Sequence, residues 1–303
     1  MRRQDWIELV TLSLLWGATF LAIAVAIRDV PTATLVFFRV FLAAVVLLPV
    51  VYALGYRLPS TISRWRDFAA MAVLNNVLPF SLFVFAQHHI TASLTSVLNA
   101  TTPLMTLLVA RALAGETLQT NKLIGVVLGL AGVAILIGPD LVRFDGATAL
   151  GMLAALGGTL CYGFSGLWGR RFKEIPPLVS ATSQLVMSSL ILLPIAAVTD
   201  RFWTLPMPPT QGILAILSLA VLSTALAYIL FYRIMGRAGS NNVMLVTLLI
   251  PVSAIALGIL VLGESLTLRQ IAGAAVIAAS LLIIDGRLFR RGAPSAGPSP
   301  GKG

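Results

Sequence analysis

The chain has 303 residues, of which 58% are hydrophobic and only 11% charged, and its net charge is +10. A soluble domain carries about 25% charge, so a water-covered globule is excluded. The basic residues lie in short loops and tails, where they set membrane topology, which argues against a face for nucleic acid.

Apolar runs of bilayer-crossing length recur from end to end. In chain order they cover 6–27, 32–54, 67–87, 91–113, 121–138, 147–169, 177–198, 211–233, 239–262 and 269–286. Each is about twice the length of a barrel strand and none alternates in polarity, so the expected fold is all-α, with ten transmembrane helices. The opening "MRR", an apolar run and "AIA" have the parts of a secretory signal. The length of the run, and a matching run at 147–169, favour a first span. With ten crossings, 16 Lys and Arg residues fall on the side of the termini and 4 on the other, with Arg39 inside span 2. That bias predicts that both termini are cytoplasmic. The closing "RGAPSAGPSPGKG" predicts a disordered tail over 289–303.

One phrase is written twice. "PLMTLLVARALAGETLQTNKLIG" (103–125) aligns without a gap to "PVSAIALGILVLGESLTLRQIAG" (251–273), 148 positions on. Pro103, Gly115, Glu116, Leu118 and Gly125 meet Pro251, Gly263, Glu264, Leu266 and Gly273. The repeat unit holds five spans, an odd number, so the second copy enters the membrane from the opposite face. The expected organisation is a first repeat over 1–140, an inverted second repeat over 141–288, and the tail. Inverted halves can exchange roles, the geometry of alternating access. With "WGATF" (Trp16 to Phe20) in span 1, these features resemble the EamA branch of the drug/metabolite transporter superfamily, and within it the YddG-type aromatic amino acid exporters. The resemblance implies export of small metabolites, often amino acids, across a bacterial inner membrane.

Polar groups inside apolar spans are the best pointers to a pathway. Arg39 is one, a candidate contact for a substrate carboxylate; its repeat partner is Gln184. Asn75 and Asn76 point about 100° apart, so at most one is expected to line a path, and Asn75 is taken. Asn99 lies four residues before Pro103, which leaves its carbonyl unpaired; Thr247 and Pro251 repeat the arrangement. With Pro79, these prolines are candidate hinges. Trp16 and Phe20, and their partners Phe164 and Trp168, are spaced i, i+4 and so share helix faces. Tyr228 offers a ring and a hydroxyl. Interfacial packing is the ordinary role of such aromatics, and interhelical bonding that of such amides.

No Asp or Glu lies deep in a span, which disfavours a carboxylate-based proton or sodium site. His88 and His89, at the outer end of span 3, are the titratable candidates for proton linkage. One cysteine, Cys161, forms no internal disulfide, and no metal or cofactor is implied. No enzyme motif occurs. Gly125, Gly129 and Gly132 in span 5, with Gly163, Gly166 and Gly169 in span 6, form small faces for close helix packing, within a monomer or a homodimer. The expected partners are the lipid bilayer and a small neutral or zwitterionic substrate. A channel or a membrane scaffold is the alternative outside transport; other small metabolites or drugs are the alternative within it.

Overall fold

The computed structural model describes residues 2–137, 146–243 and 245–285, with Ser240 and Asn241 described by their backbone alone. The boundary expected near residue 140 and the tail at 289–303 lie outside the described residues. In hydrocarbon a segment must satisfy its own backbone groups, which leaves these runs the helix. Nine helices are long and apolar enough to cross a bilayer among the described residues. They are Arg3–Ala26 (span 1), Thr32–Ala53 (2), Ile62–Gln87 (3), Ala92–Ala114 (4), Thr120–Ile137 (5), Gly146–Phe172 (6), Pro177–Thr199 (7), Thr210–Ala238 (8) and Leu268–Asp285 (10). The shorter apolar helix Val246–Leu262 forms span 9, preceded by the turn of helix Ser240–Val243. Below, the terminal end is the one where span 1 begins; the distal end is opposite.

Span 3 starts at Ile62, ahead of its apolar run, because a polar first turn continues the helix out of the membrane. Trp65 anchors that turn, its Nε1 donating to the Pro59 carbonyl at 2.9 Å.

The packing obeys the inverted repeat. Span 5 lies along span 10, span 2 along span 7, and span 4 meets span 9. Three further contacts come as mates: span 1 on 9 with span 6 on 4, span 2 on 8 with span 7 on 3, and span 3 on 6 with span 8 on 1. Spans 5 and 10 are peripheral, with 39% and 22% of their apolar windows buried against 56% for span 2. Their mutual seam is made by small residues that let backbones touch. A Cβ on Gly273 would lie 2.9 Å from the Gly132 carbonyl oxygen, and one on Gly132 would lie 2.9 Å from the Ile277 nitrogen. Backbone atoms cannot step aside. Gly273→Ile is therefore expected to split the seam and lower the thermal midpoint by several degrees. Gly166→Ala, whose new methyl meets only the Thr106 side chain at 3.4 Å, is the neutral control in the same melt.

Two features recur at equivalent places. The glycine of each repeated phrase ends its helix with positive φ, 65° at Gly115 and 67° at Gly263, which glycine adopts without strain. The following N–H turns back to a helix carbonyl in both copies, Glu116 to Ala110 at 3.4 Å and Glu264 to Gly258 at 3.1 Å. Spans 3 and 8 each carry a π-helical stretch, Val73–Val77 and Ser218–Leu226, which overlap under the repeat. Such widened turns mark functional positions more often than chance.

The terminal ends of spans 1 and 8 are joined by ions. Arg233 Nη2 lies 2.5 Å from Glu8 Oε1, Arg237 Nε lies 3.3 Å from Asp5, and Arg237 Nη2 also pairs with Glu8. Both carboxylates are buried.

Candidate functional site in the core between the repeats

The two π-helical stretches each carry part of a polar cluster, joined where Tyr228 of span 8 reaches Asn76 of span 3. On one side Arg39, from span 2, donates Nε–H to Thr224 Oγ1 at 3.2 Å. Its guanidinium lies flat over the Phe80 ring, 3.7 Å from the centroid. No carboxylate of the described residues lies within ion-pairing distance of Arg39, which is only 6% exposed. On the other side Asn75 donates Nδ2–H to Gln184 Oε1 at 3.1 Å and accepts from Ser165 Oγ at 3.1 Å. Asn76 donates to Ser188 Oγ at 2.9 Å and accepts from the Tyr228 hydroxyl at 3.4 Å. Gln184 donates in turn to Ser180 Oγ at 3.3 Å. Spans 2, 3, 6, 7 and 8 all contribute.

The arrangement is two half-sites of different chemistry. Asn75 and Asn76 occupy the repeat positions of Ser223 and Thr224, and Gln184 that of Arg39. One half presents a delocalised cation, the other neutral amides and hydroxyls. Each bond between helices contributes only about 0.6 kcal/mol in a membrane. Their larger effect is orientation, because a buried carboxamide with all partners in place has one geometry. A buried cation is the exception: without a counter-ion it is costly in low dielectric, and a bound carboxylate would relieve that cost.

Aromatic side chains lead into the cluster from two directions. Trp16 packs on Phe231 at 5.5 Å, Phe231 on Tyr232 at 5.3 Å and Tyr232 on Tyr228 at 6.2 Å. Phe20 meets Phe83 edge-on at 6.4 Å, and Phe83 meets Tyr162 at 5.8 Å.

The sequence profile of the EamA-like transporter family matches residues 7–138 and again residues 149–285. The chain belongs to that family. The protein named "Probable amino-acid metabolite efflux pump" of Salmonella typhimurium is 28% identical, over 98% of this chain and 100% of its own. "Uncharacterized transporter YoaV" of Bacillus subtilis is 23% identical over 93% and 97%. "Uncharacterized inner membrane transporter YedA" of Escherichia coli K12 is 24% identical over 96% and 94%. A solved crystal structure shares the fold, with a TM-score of 0.66 over 97% of this chain and 100% of that one, at 19% identity.

In this EamA-like transporter, Arg39, Asn75, Gln184 and Tyr228 are brought together, and Trp16 and Phe20 reach them through other rings. Other residues expected at the site are placed elsewhere. Phe164 stands 36% exposed on the outer face of span 6. Trp168 sits at the terminal end, donating Nε1–H to the Asp67 carbonyl at 3.1 Å with the Arg171 guanidinium 3.6 Å over its ring. Span 6 turns Tyr162 and Ser165 inward instead, because its glycines must face span 4: a Cβ on Gly163 would lie 2.9 Å from the Met105 carbonyl oxygen. The Asn99 carbonyl freed by Pro103 accepts a bond from Thr102 Oγ1 at 2.7 Å. Asn75 and Asn76 both bond to span 7, because the π-turn widens the face that they share. Pro79 and Pro103 each open a helix after a break in the regular α pattern, whereas Pro251 lies inside the continuous helix Val246–Leu262, which also carries Thr247. Phe80, Ser165, Ser188 and Thr224 are not among the residues the sequence pointed to. Small hydroxyls scattered through apolar spans carry no signal until their helix faces are known.

His88 and His89 lie at the distal end, away from the cluster. His88 Nε2 is 3.4 Å from Thr32 Oγ1, and His89 meets Phe85 edge-on at 4.8 Å. Partial burial first, and then the neighbouring His89, push the His88 imidazole below its ordinary value of 6.5. The unfolded chain therefore takes up this proton before the folded one does. Any effect on stability is a loss as pH falls below 6.5, with none above it. His88→Gln is expected to leave the thermal midpoint unchanged above that pH and to flatten its decline below, as a melt series across pH would read.

Proposed function

We propose that this EamA-like transporter exports small zwitterionic metabolites, amino acids first among them, by alternating access between its inverted halves. The observation that carries the reading is Arg39, a buried cation in mid-span with no carboxylate partner among the described residues. A substrate carboxylate would supply the missing charge, and guanidinium geometry suits it. The substrate amine would meet the carbonyl oxygens of the Asn75, Asn76 and Gln184 amides. The rings of Tyr162, Tyr228 and Phe20 favour an aromatic side chain. With one cation in the cluster, phosphorylated dianions are disfavoured. Two relatives bear the name "Probable amino-acid metabolite efflux pump", at 28% and 26% identity, and a third is named an inner membrane transporter. These names support an inner-membrane amino acid carrier, and the excess of Arg and Lys at the terminal end favours a cytoplasmic placement of that end.

The test is counterflow in liposomes, with labelled amino acids offered beside their methyl esters and decarboxylated amines. Exchange of the acids but not of the esters or amines is expected. Equal exchange of amines would remove the carboxylate from the reading. Other small metabolites or drugs of the superfamily are then the second reading, favoured by the neutral half-site. Exchange is expected to persist at symmetric pH, because no carboxylate in the cluster is placed to carry a proton. Failure without a proton gradient would point to coupling through His88 or His89.

A further inference from the structure

We propose that the repeated Gly–Glu element is a pair of alternating latches, and that this conformation has the Glu264 latch closed and the Glu116 latch open. The Glu264 carboxylate accepts the backbone N–H of Ala92 at 2.8 Å, that of Ser93 at 3.0 Å, and the Ser93 hydroxyl at 2.5 Å. It ties the distal end of span 9 to the first turn of span 4, where free N–H groups and the helix dipole both favour an anion. Glu116 follows an identical left-handed glycine, yet it does something else. Its carboxylate pairs with Arg170 at 2.5 Å and is 42% exposed.

The packing is asymmetric in the same sense. At the distal end Ala92–Asn99 packs against Val246–Leu262. Towards the terminal end Thr102–Ala114 packs on spans 6 and 5 instead. Two oppositely inserted copies of one element, in two different states within one molecule, are what a rocking carrier shows with one mouth shut. The repeat then gives the opposite state: Glu264 releases Ala92 and Ser93, and Glu116 leaves Arg170 for the beginning of span 9. A second observation marks the distal end as the moving one. Both amide atoms of Gln87, beside Thr91 and Leu94, are buried with no hydrogen-bond partner. A buried carboxamide with no protein partner is costly, and a movement that gives it one favours the other state. The latch and the orphan amide pull against each other, as a two-state element requires.

The test reads conformation without substrate, so it stands or fails independently of what is carried. Cys161→Ser removes the native thiol, and Ser96→Cys places a reporter on the fully buried Ser96 position, one turn along the face from Ala92. Alkylation by a water-soluble maleimide is followed in detergent. Glu264→Gln is expected to speed labelling several-fold, and Glu116→Gln to slow it by at least about two-fold, since each removes one of the two competing states. No acceleration with Glu264→Gln overturns the proposal. Acceleration there with no effect of Glu116→Gln also overturns it, leaving Glu264 a static cap. Should Glu264→Gln fail to fold, Ser93→Ala, which removes only the hydroxyl contact, is expected to accelerate labelling more weakly, and an unchanged rate would count against the latch.

Discussion

Arg39→Ala is expected to weaken substrate binding in counterflow by at least about 30-fold, while the variant folds better than the parent. The first effect follows from losing the cation that faces the substrate carboxylate. Truncating one partner of a buried, hydrogen-bonded charge pair costs about 2–5 kcal/mol, and about 2 kcal/mol corresponds to that ratio. The second follows from the empty protein. There the guanidinium is buried with one bond to Thr224, the Phe80 face and no counter-ion, and an isolated buried charge destabilises its surroundings. Removing it is expected to raise the thermal midpoint by about 2–4 °C, a gain of the order of 1 kcal/mol for a chain of this size. Opposite signs in the two measurements would identify a functional charge and not a structural one. Arg39→Lys separates charge from shape. It keeps the cation but loses the planar stack and the Nε bond, so a raised KM with partial transport is expected. A drop in stability with Arg39→Ala would instead make the residue a strut, and the carboxylate assignment would fall with it.

Glu8→Ala is expected to destabilise the protein by about 2 kcal/mol without touching substrate affinity. Glu8 is buried at the terminal end of span 1 and is shared by Arg233 and Arg237 from span 8, with Asp5 beside it. Breaking a fully buried pair costs about 3–5 kcal/mol because the surviving charge loses its partner. The expected value is lower because the Arg233 side chain is 51% exposed and can turn to water. A double-mutant cycle with Arg237→Ala, read from thermal or denaturant midpoints, is expected to show a coupling of about 1 kcal/mol or more. Additive losses would mean that the ions sit together without contributing. The places equivalent under the repeat hold Leu153 and Leu156 on span 6, and Phe85 and His89 on span 3, none of them a carboxylate or an arginine. Among the described residues this lock thus has no counterpart in the second repeat, and the two ends of the bundle are not held alike.

Much of this was legible in the residues. Ten runs too apolar for water fix the number of crossings, and a phrase repeated after five of them fixes the inversion. Arg39, Asn75, Gln184 and Tyr228 stood out because a polar group inside a bilayer span is costly and so is rarely idle. The aromatic pair of span 6 misled, because i, i+4 spacing says only that Phe164 and Trp168 share a face. It does not say which face turns inward.

Composition, the run lengths and the repeat determined by themselves that this is a helical membrane protein of inverted halves with one cation inside a span. Tertiary structure alone decided the rotation of each helix about its axis, the joining of both asparagines through a π-turn, and the different partners of Glu116 and Glu264. The reason is physical. In water a helix advertises its buried face by contrast with a polar one, but lipid and protein interior are equally apolar, so that contrast vanishes. What sets the rotation instead is where a glycine allows two backbones to touch and where a carboxylate finds free N–H groups, and both depend on a neighbour hundreds of residues away in the chain or across the repeat.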